Sequence, residues 1–255
     1  MKPIKPVILV AIGLVVGAIV AALLVAYPQM PGEYSKQAKN VDFLFRYMLA
    51  IAGVIFGLVT VVLVYILRTF RAKRGDLSDG APVHGVTWLE IVWTAIPAVL
   101  VVSIALLSWQ TLDENEQALA KSRSGEAIHV HVWGYQFNWE YAYTDQQYTL
   151  KSSPELVLPV DRPVVFELET KDVIHSFWVP KWRIQMNTTP GQKNRMTVTP
   201  TKMGSIEVVC AFLCGAAHAT MNSSVGSAVK PIRVVSEQDF EKWIKDQQAA
   251  EQQSS

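Results

Sequence analysis

Three stretches of the chain carry no charged residue: Val7–Tyr27, Tyr47–Leu67 and Ile91–Leu112. An α-helix rises about 1.5 Å per residue, so roughly 20 apolar residues cross the ~30 Å hydrocarbon core of a bilayer. All three stretches are long enough. From Asp113 the pattern changes to short runs. His129–Trp133 alternates, and Phe137–Tyr143 sets aromatic against polar residues. Pro163–Glu169, Arg195–Thr199, Ser205–Cys210 and Ala228–Val235 are further predicted strands, with Pro, Gly, Asp and Lys between them. Short strands at this spacing predict an antiparallel all-β sandwich. Ser236, with Asp239 three residues on, opens a helix over Glu237–Ala250 that puts Phe240, Trp243 and Ile244 on one face.

The predicted organisation has four parts: an N-terminal hydrophobic segment at 1–27, a transmembrane helical hairpin at 43–112 with a cytoplasmic loop at 68–90, a β domain at 113–235, and a C-terminal helix and tail at 236–255. The first segment reads as an uncleaved span or as a signal peptide. Its apolar run is longer than a usual signal core, and the least poor cleavage site, after Ala26, has Leu24 at the −3 position. Short-loop cations set the orientation. Lys2 and Lys5 precede the first span, and Arg68, Arg71, Lys73 and Arg74 follow the second, so those ends face the cytoplasm. Everything after Leu112 then lies outside the cell membrane.

Composition sharpens this division. Half of the 255 residues are hydrophobic, yet the charged residues concentrate outside the three spans at an ordinary soluble density. A net charge of +1 supplies no field for nucleic acid, and no nucleic-acid partner is expected. Glu90 stands at the cytoplasmic mouth of the third span. An ionisable group there is a candidate for an ion or proton path; the plainer reading is an interfacial carboxylate favoured by the helix dipole.

The candidate chemistry sits in twelve residues. Cys210 and Cys214 are the two cysteines of the chain, followed by His218 and Met221 in a C-x3-C-x3-H-x2-M pattern. Thiolate, imidazole and thioether are the soft and borderline ligands that copper prefers, and a single-copper electron-transfer site needs one Cys, two His and a weak Met. Two thiolates can instead bridge two copper ions, each of which then needs an imidazole. His218 supplies one, and His175, in a loop after the strand Pro163–Glu169, is the best candidate for the other. His129 and His131 read as surface or sheet-packing residues, and His84 lies in the cytoplasmic turn. A disulfide and a zinc site are the rival readings.

The loop resembles the binuclear copper (CuA) loop of subunit II of cytochrome c oxidase, in the heme–copper oxidases. The resemblance covers about 200 residues, Tyr47 to Val235. His84-Gly85 and Leu89–Pro97 look like the start of that family's second helix. Gly134–Tyr141 looks like its aromatic segment, and Asp172–Pro180 with Met186, Pro190 and Gly191 looks like the stretch that bears its first histidine ligand. The resemblance implies a cupredoxin-like Greek-key sandwich after the membrane helices. It implies His175, Cys210, Cys214, His218, Met221 and the main-chain carbonyl of Phe212 as copper ligands, and Glu90 as the entrance of a proton path. It implies electrons arriving from a soluble donor such as cytochrome c and passing to a heme in subunit I, which also holds CuB and reduces oxygen.

Some positions depart from the family pattern. Phe212 replaces a loop glutamate that in the family also binds magnesium, so a magnesium site is not carried over. Phe137 stands where many members have the tryptophan that receives the electron; Phe137, Trp139 and Tyr141 are the candidates for that role here. The subunit II of quinol oxidases is similar but lacks the two cysteines, and a stand-alone membrane-tethered copper protein is the alternative of a different class.

Overall fold

The computed structural model describes residues 4–27, 30–71, 75, 82, 85–122, 127–145, 148–223 and 229–253, and for 115–122 the backbone only. Most of the expected cytoplasmic loop, His84 and residue 228 lie outside the described residues. The chain forms two compact units. One comprises Met1–Gln29 with Asp42–Gln110, the other Met30–Val41 with Thr111–Ser255.

The first unit is helical. Helices α1 (Pro6–Ala26), α2 (Lys36–Thr69) and α3 (Thr87–Ser122) are each long and apolar enough to cross a membrane. Pro6 sits at the start of α1, where its missing N–H costs no hydrogen bond. The Tyr47 and Ser103 hydroxyls meet at 2.9 Å between α2 and α3. The third helix does not stop at Leu112. It continues to Ser122 because Asp113–Lys121 contains neither Gly nor Pro and is rich in good helix formers.

The second unit is the expected β domain, with eleven strands among the described residues: β1 (Ile128–Tyr135), β2 (Asn138–Thr144), β3 (Thr149–Ser153), β4 (Val157–Pro159), β5 (Val164–Thr170), β6 (His175–Val179), β7 (Ile184–Thr188), β8 (Asn194–Val198), β9 (Gly204–Ile206), β10 (Val209–Cys210) and β11 (Ile232–Val235). They form sheets in the order β3-β2-β1-β5-β8, β10-β6-β7 and β4-β11-β9. Two pairings, β1 with β5 and β4 with β11, are parallel, so the sandwich is mixed rather than wholly antiparallel. The predicted strand Ser205–Cys210 is interrupted into β9 and β10, and His175 opens β6 instead of lying in a loop.

Strict alternation on β1 turns Ile128, Val130 and Val132 inward and leaves His129, His131, Trp133 and Tyr135 on the outer face. Trp139, Tyr141, Phe166, Phe177 and Trp182 fill the core. The segment before α2 is stitched to this unit. Ser35 Oγ donates to the Trp182 carbonyl at 2.9 Å, and the N–H groups of Lys36 and Tyr34 reach the carbonyls of Thr199 and Lys181. The C-terminal helix α4 (Glu237–Gln253) buries Phe240 and Ile244, and the Asp239 N–H bonds the Ser236 hydroxyl at its start.

Candidate metal centre

Two segments build the site. β6 brings His175, and β10 with the loop after it brings Cys210, Cys214, His218 and Met221. Phe177 pairs with Cys210 across the antiparallel β6–β10 ladder, which sets the two segments side by side. The loop closes on itself: the Cys210 N–H donates to the Met221 carbonyl at 3.1 Å, and the Ala211 N–H to the Ser176 carbonyl at 2.9 Å. His218 lies on a single 3-10 turn, His218–Thr220.

The donor atoms then form a chain. His175 Nδ1 lies 3.9 Å from Cys210 Sγ, which lies 3.9 Å from Cys214 Sγ. Cys214 Sγ lies 3.4 Å from His218 Nδ1 and 3.9 Å from Met221 Sδ. The Phe212 carbonyl oxygen is 3.3 Å from Cys210 Sγ. The two cysteines are not joined, although a disulfide was a rival reading. His175, Cys210, Cys214 and Met221 are all buried. Ligand atoms bound at roughly 2.0–2.3 Å to one ion can be no more than roughly 4.6 Å apart. Every neighbouring pair in the chain meets that limit, so the donor set fits soft metal ions.

The electrostatics suit thiolate ligands. Burial pushes the Cys210 thiol up, but hydrogen bonds with His175, the Ser176 and Phe212 main chain and Cys214 outweigh it and hold Cys210 below a free cysteine. Cys214 goes the other way, pushed up to about 11 by burial and by the neighbouring Cys210 charge. Burial lowers the proton affinity of His175, but bonding to Cys210 and Asp172 raises it overall.

Two further residues touch the site and were not singled out from sequence. Asp172 Oδ1 lies 2.8 Å from His175 Nε2, and its other oxygen accepts the Gln136 N–H at 2.7 Å. The Gln136 side-chain amide donates to the Cys214 carbonyl at 2.6 Å. The signal for Asp172 was its position three residues before His175; Gln136 is 78 positions from its partner Cys214 and leaves none. A side chain at Gly134 would press on the site, since a Cβ there would stand 3.0 Å from His175 Cδ2 and 3.1 Å from Trp139 Cζ3.

The three aromatic candidates for receiving the electron occupy different depths. Trp139 is fully buried and stands edge-on to His175, ring centres 5.9 Å apart. Tyr141 is buried in the core. Phe137 is half-buried, with its ring over the loop at Gly215; a Cβ there would lie 3.2 Å from Phe137 Cε1. Phe212 is 42% exposed and offers no side-chain oxygen, so a hard cation such as magnesium gains nothing from it. Glu90 is in the helical unit, exposed on the first turn of α3.

A second cluster, His131 with Glu167 and Glu169, lies on the outer face of the large sheet. Lys193 bridges both carboxylates and Arg195 binds Glu167, which makes it an ion-pair network. His131 stacks on Trp133 at 3.9 Å, the sheet-packing role expected of it.

Comparison with known proteins gives two family matches. The family model described as cytochrome c oxidase subunit II, transmembrane domain, matches residues 28–111, and the one described as its periplasmic domain matches residues 145–228. The chain is 33% identical to the cytochrome c oxidase subunit 2 of Synechocystis sp., over 83% of this chain and 77% of that protein. It is 27% identical to the quinol oxidase subunit 2 of Bacillus subtilis, over 97% of this chain and 74% of that protein. Among solved structures it is similar to the periplasmic domain of subunit II of cytochrome oxidase of Bradyrhizobium japonicum, with 25% identity and a TM-score of 0.41, over 48% of this chain and 94% of that one.

Proposed function

The chain belongs to the cytochrome c oxidase subunit II family, and we propose that its β domain is the electron port of such an oxidase. It takes electrons from a soluble donor, a cytochrome c, and delivers them to the heme of subunit I, where oxygen is reduced to water and protons are translocated. The observation that carries this reading is the unbroken chain of five soft and borderline donor atoms, His175 Nδ1, Cys210 Sγ, Cys214 Sγ, His218 Nδ1 and Met221 Sδ, at 3.4–3.9 Å spacing.

A pair of copper ions, when bound, supplies a one-electron carrier that cycles between two valence states. Cys210 and Cys214 would hold it as thiolates, His175 and His218 as imidazoles, Met221 as a thioether and Phe212 through its carbonyl. The chain's own contribution is to fix these groups. Burial excludes water, the β6–β10 ladder sets the spacing, and Asp172 holds the His175 ring. Relatives include a quinol oxidase subunit, but the two thiols favour the copper-bearing reading.

Phe137 is the surface point at which the donor's electron arrives, because Trp139 and Tyr141 are buried. Residues 113–255 carry 14 basic and 17 acidic side chains, which favours a basic donor. The β domain lies on the outer, periplasmic side of the membrane, as the cationic ends of the spans direct. Glu90, on the opposite side, opens a proton path into subunit I.

Metal analysis of the purified full chain is expected to give two copper ions. Cys214→Ser is expected to abolish electron transfer from cytochrome c to heme while the oxidase still assembles. One copper ion or zinc in the wild type, or normal turnover in the variant, would overturn the reading. Glu90→Gln is expected to slow turnover and spare copper reduction; unchanged turnover would return Glu90 to a plain interfacial role.

A further inference from the structure

We infer that α1 is kept in the mature chain as a third membrane-spanning helix, locked to α2 by a seam of glycines inside the bilayer. The transmembrane family match begins at residue 28, after α1 has ended, so family membership assigns this helix nothing. The competing fate for an apolar N-terminal helix is that of a signal peptide, removed once it has led the chain across.

The facing surfaces decide between them. Gly13, Gly17 and Ala21 recur every four residues and are the buried residues of α1. Residues four apart share one helix face. Gly53 and Gly57 of α2 have the same spacing and are also buried. The two rows meet backbone to backbone. A Cβ on Gly57 would stand 2.4 Å from the Gly17 Cα, and one on Gly17 would stand 2.6 Å from the Val54 carbonyl oxygen. A Cβ on Gly53 would stand 2.6 Å from the Ala21 Cα. No side chain fits at these glycines unless the helices move apart.

In lipid there is no hydrophobic drive between helices, so close packing of small residues is what holds them together. Glycine is also a poorer helix former than alanine. A signal segment need only be apolar. It gains nothing from glycines spaced to match a row on another helix of the same chain.

The connections at each end agree. Residues 30–41, which follow α1 in the chain, fold with the β domain. Lys5 lies before α1, where a cation favours the cytoplasmic side. The 21 residues between cover about the hydrocarbon thickness once. The apolar windows of all three helices remain largely unburied within the chain, α3 most of all, so each keeps a face for lipid or for a membrane partner.

The inference is independent of copper, and so is its test. The intact mass of the full chain, purified from membranes in detergent, is expected to include residues 6–26; a mature chain that starts at or after Tyr27 overturns retention. The seam is tested by Gly13→Cys with Leu58→Cys in a Cys210→Ser, Cys214→Ser background: a Cβ on Gly13 would stand 3.2 Å from the Leu58 Cα, and the second substitution removes the Leu58 Cδ1 that would otherwise crowd it. Mild oxidation of membranes with copper phenanthroline is expected to join the pair within one chain. The control Val15→Cys with Leu58→Cys is expected to stay reduced, because Val15 is exposed on α1. Adding Gly57→Leu is expected to lower the yield of the first cross-link at least tenfold. Equal cross-linking of both pairs, or none in a chain that retains α1, overturns the seam.

Discussion

Asp172 Oδ1 meets His175 Nε2 at 2.8 Å, which leaves His175 Nδ1 directed at the sulfur of Cys210. The carboxylate is itself held by the N–H groups of Gln136 and Val173. Such an outer partner fixes both the tautomer and the orientation of a ligand imidazole, and its loss typically costs 10–100-fold in metal affinity or activity. Asp172→Asn keeps the size but weakens the acceptor. It is expected to weaken copper retention by about tenfold or more, measured by competition with a chelator, with the fold unchanged by circular dichroism. Unaltered copper affinity would limit Asp172 to a turn-forming role.

Phe137 and Trp139 separate surface contact from core packing. Phe137 has a partly exposed ring over the loop, whereas Trp139 is buried against His175 and Phe177. Phe137→Ala is expected to slow reduction by cytochrome c about tenfold, the weight of a ~1.4 kcal/mol loss of an aromatic contact, with the copper absorption bands unchanged. Trp139→Phe is expected to do the reverse, perturbing the bands and the stability more than the bimolecular rate. Stopped-flow reduction beside absorption spectra distinguishes them; equal rates for wild type and Phe137→Ala would move electron arrival elsewhere.

What was legible in the sequence was what lies close together in the sequence. Cys210 to Met221 fall within twelve residues, so their shared chemistry could be read directly. The three spans were legible because charge is absent from them. His175 was legible as a residue type but was assigned to a loop, because β6 gives no period-two signal: His175, Ser176 and Phe177 are all buried. Helix α3 runs on past Leu112 through charged residues, which leave no apolar pattern to mark it. Residues 30–41 carry no such local signal, because their bonds run to Trp182 and Thr199, over 140 positions away.

The outer face of the large sheet makes the stability depend on pH. Arg195 Nε and Nη2 donate to Glu167 Oε2 at 3.0 and 2.7 Å. That hydrogen bonding, aided by Lys193 and opposed by burial, holds the Glu167 carboxyl below its ordinary value of 4.5. A carboxylate depressed in the folded state adds stability above its unfolded pKa, and loses it as pH falls through the folded pKa. Arg195 is more than half exposed, so solvent screening keeps the pair to about 0.2–1 kcal/mol. Arg195→Ala is expected to lower stability by that amount at pH 7 and by progressively less below pH ~4.5. Urea unfolding at pH 7 and pH 3 checks it; a difference that does not shrink with acid would assign the effect to packing.

Tyr143 ties two sheets together through one hydroxyl. Its OH donates to the Val157 carbonyl at 2.7 Å and accepts the Val157 N–H at 3.0 Å, in a fully buried setting. β2 of the large sheet is thereby joined to β4 beside β11, while the Tyr143 ring packs on Phe240 and Trp243 of α4. Tyr143→Phe keeps the ring packing and removes only the oxygen. Two buried main-chain groups then lose their partner, which costs about 1–3 kcal/mol. The expected result is a lower urea midpoint for the β domain, followed by tryptophan fluorescence in the detergent-solubilised chain. Copper content should be unchanged, because Tyr143 touches none of the proposed copper ligands. A midpoint equal to wild type would mean that water replaces the hydroxyl and that the sheets are held by side-chain packing alone.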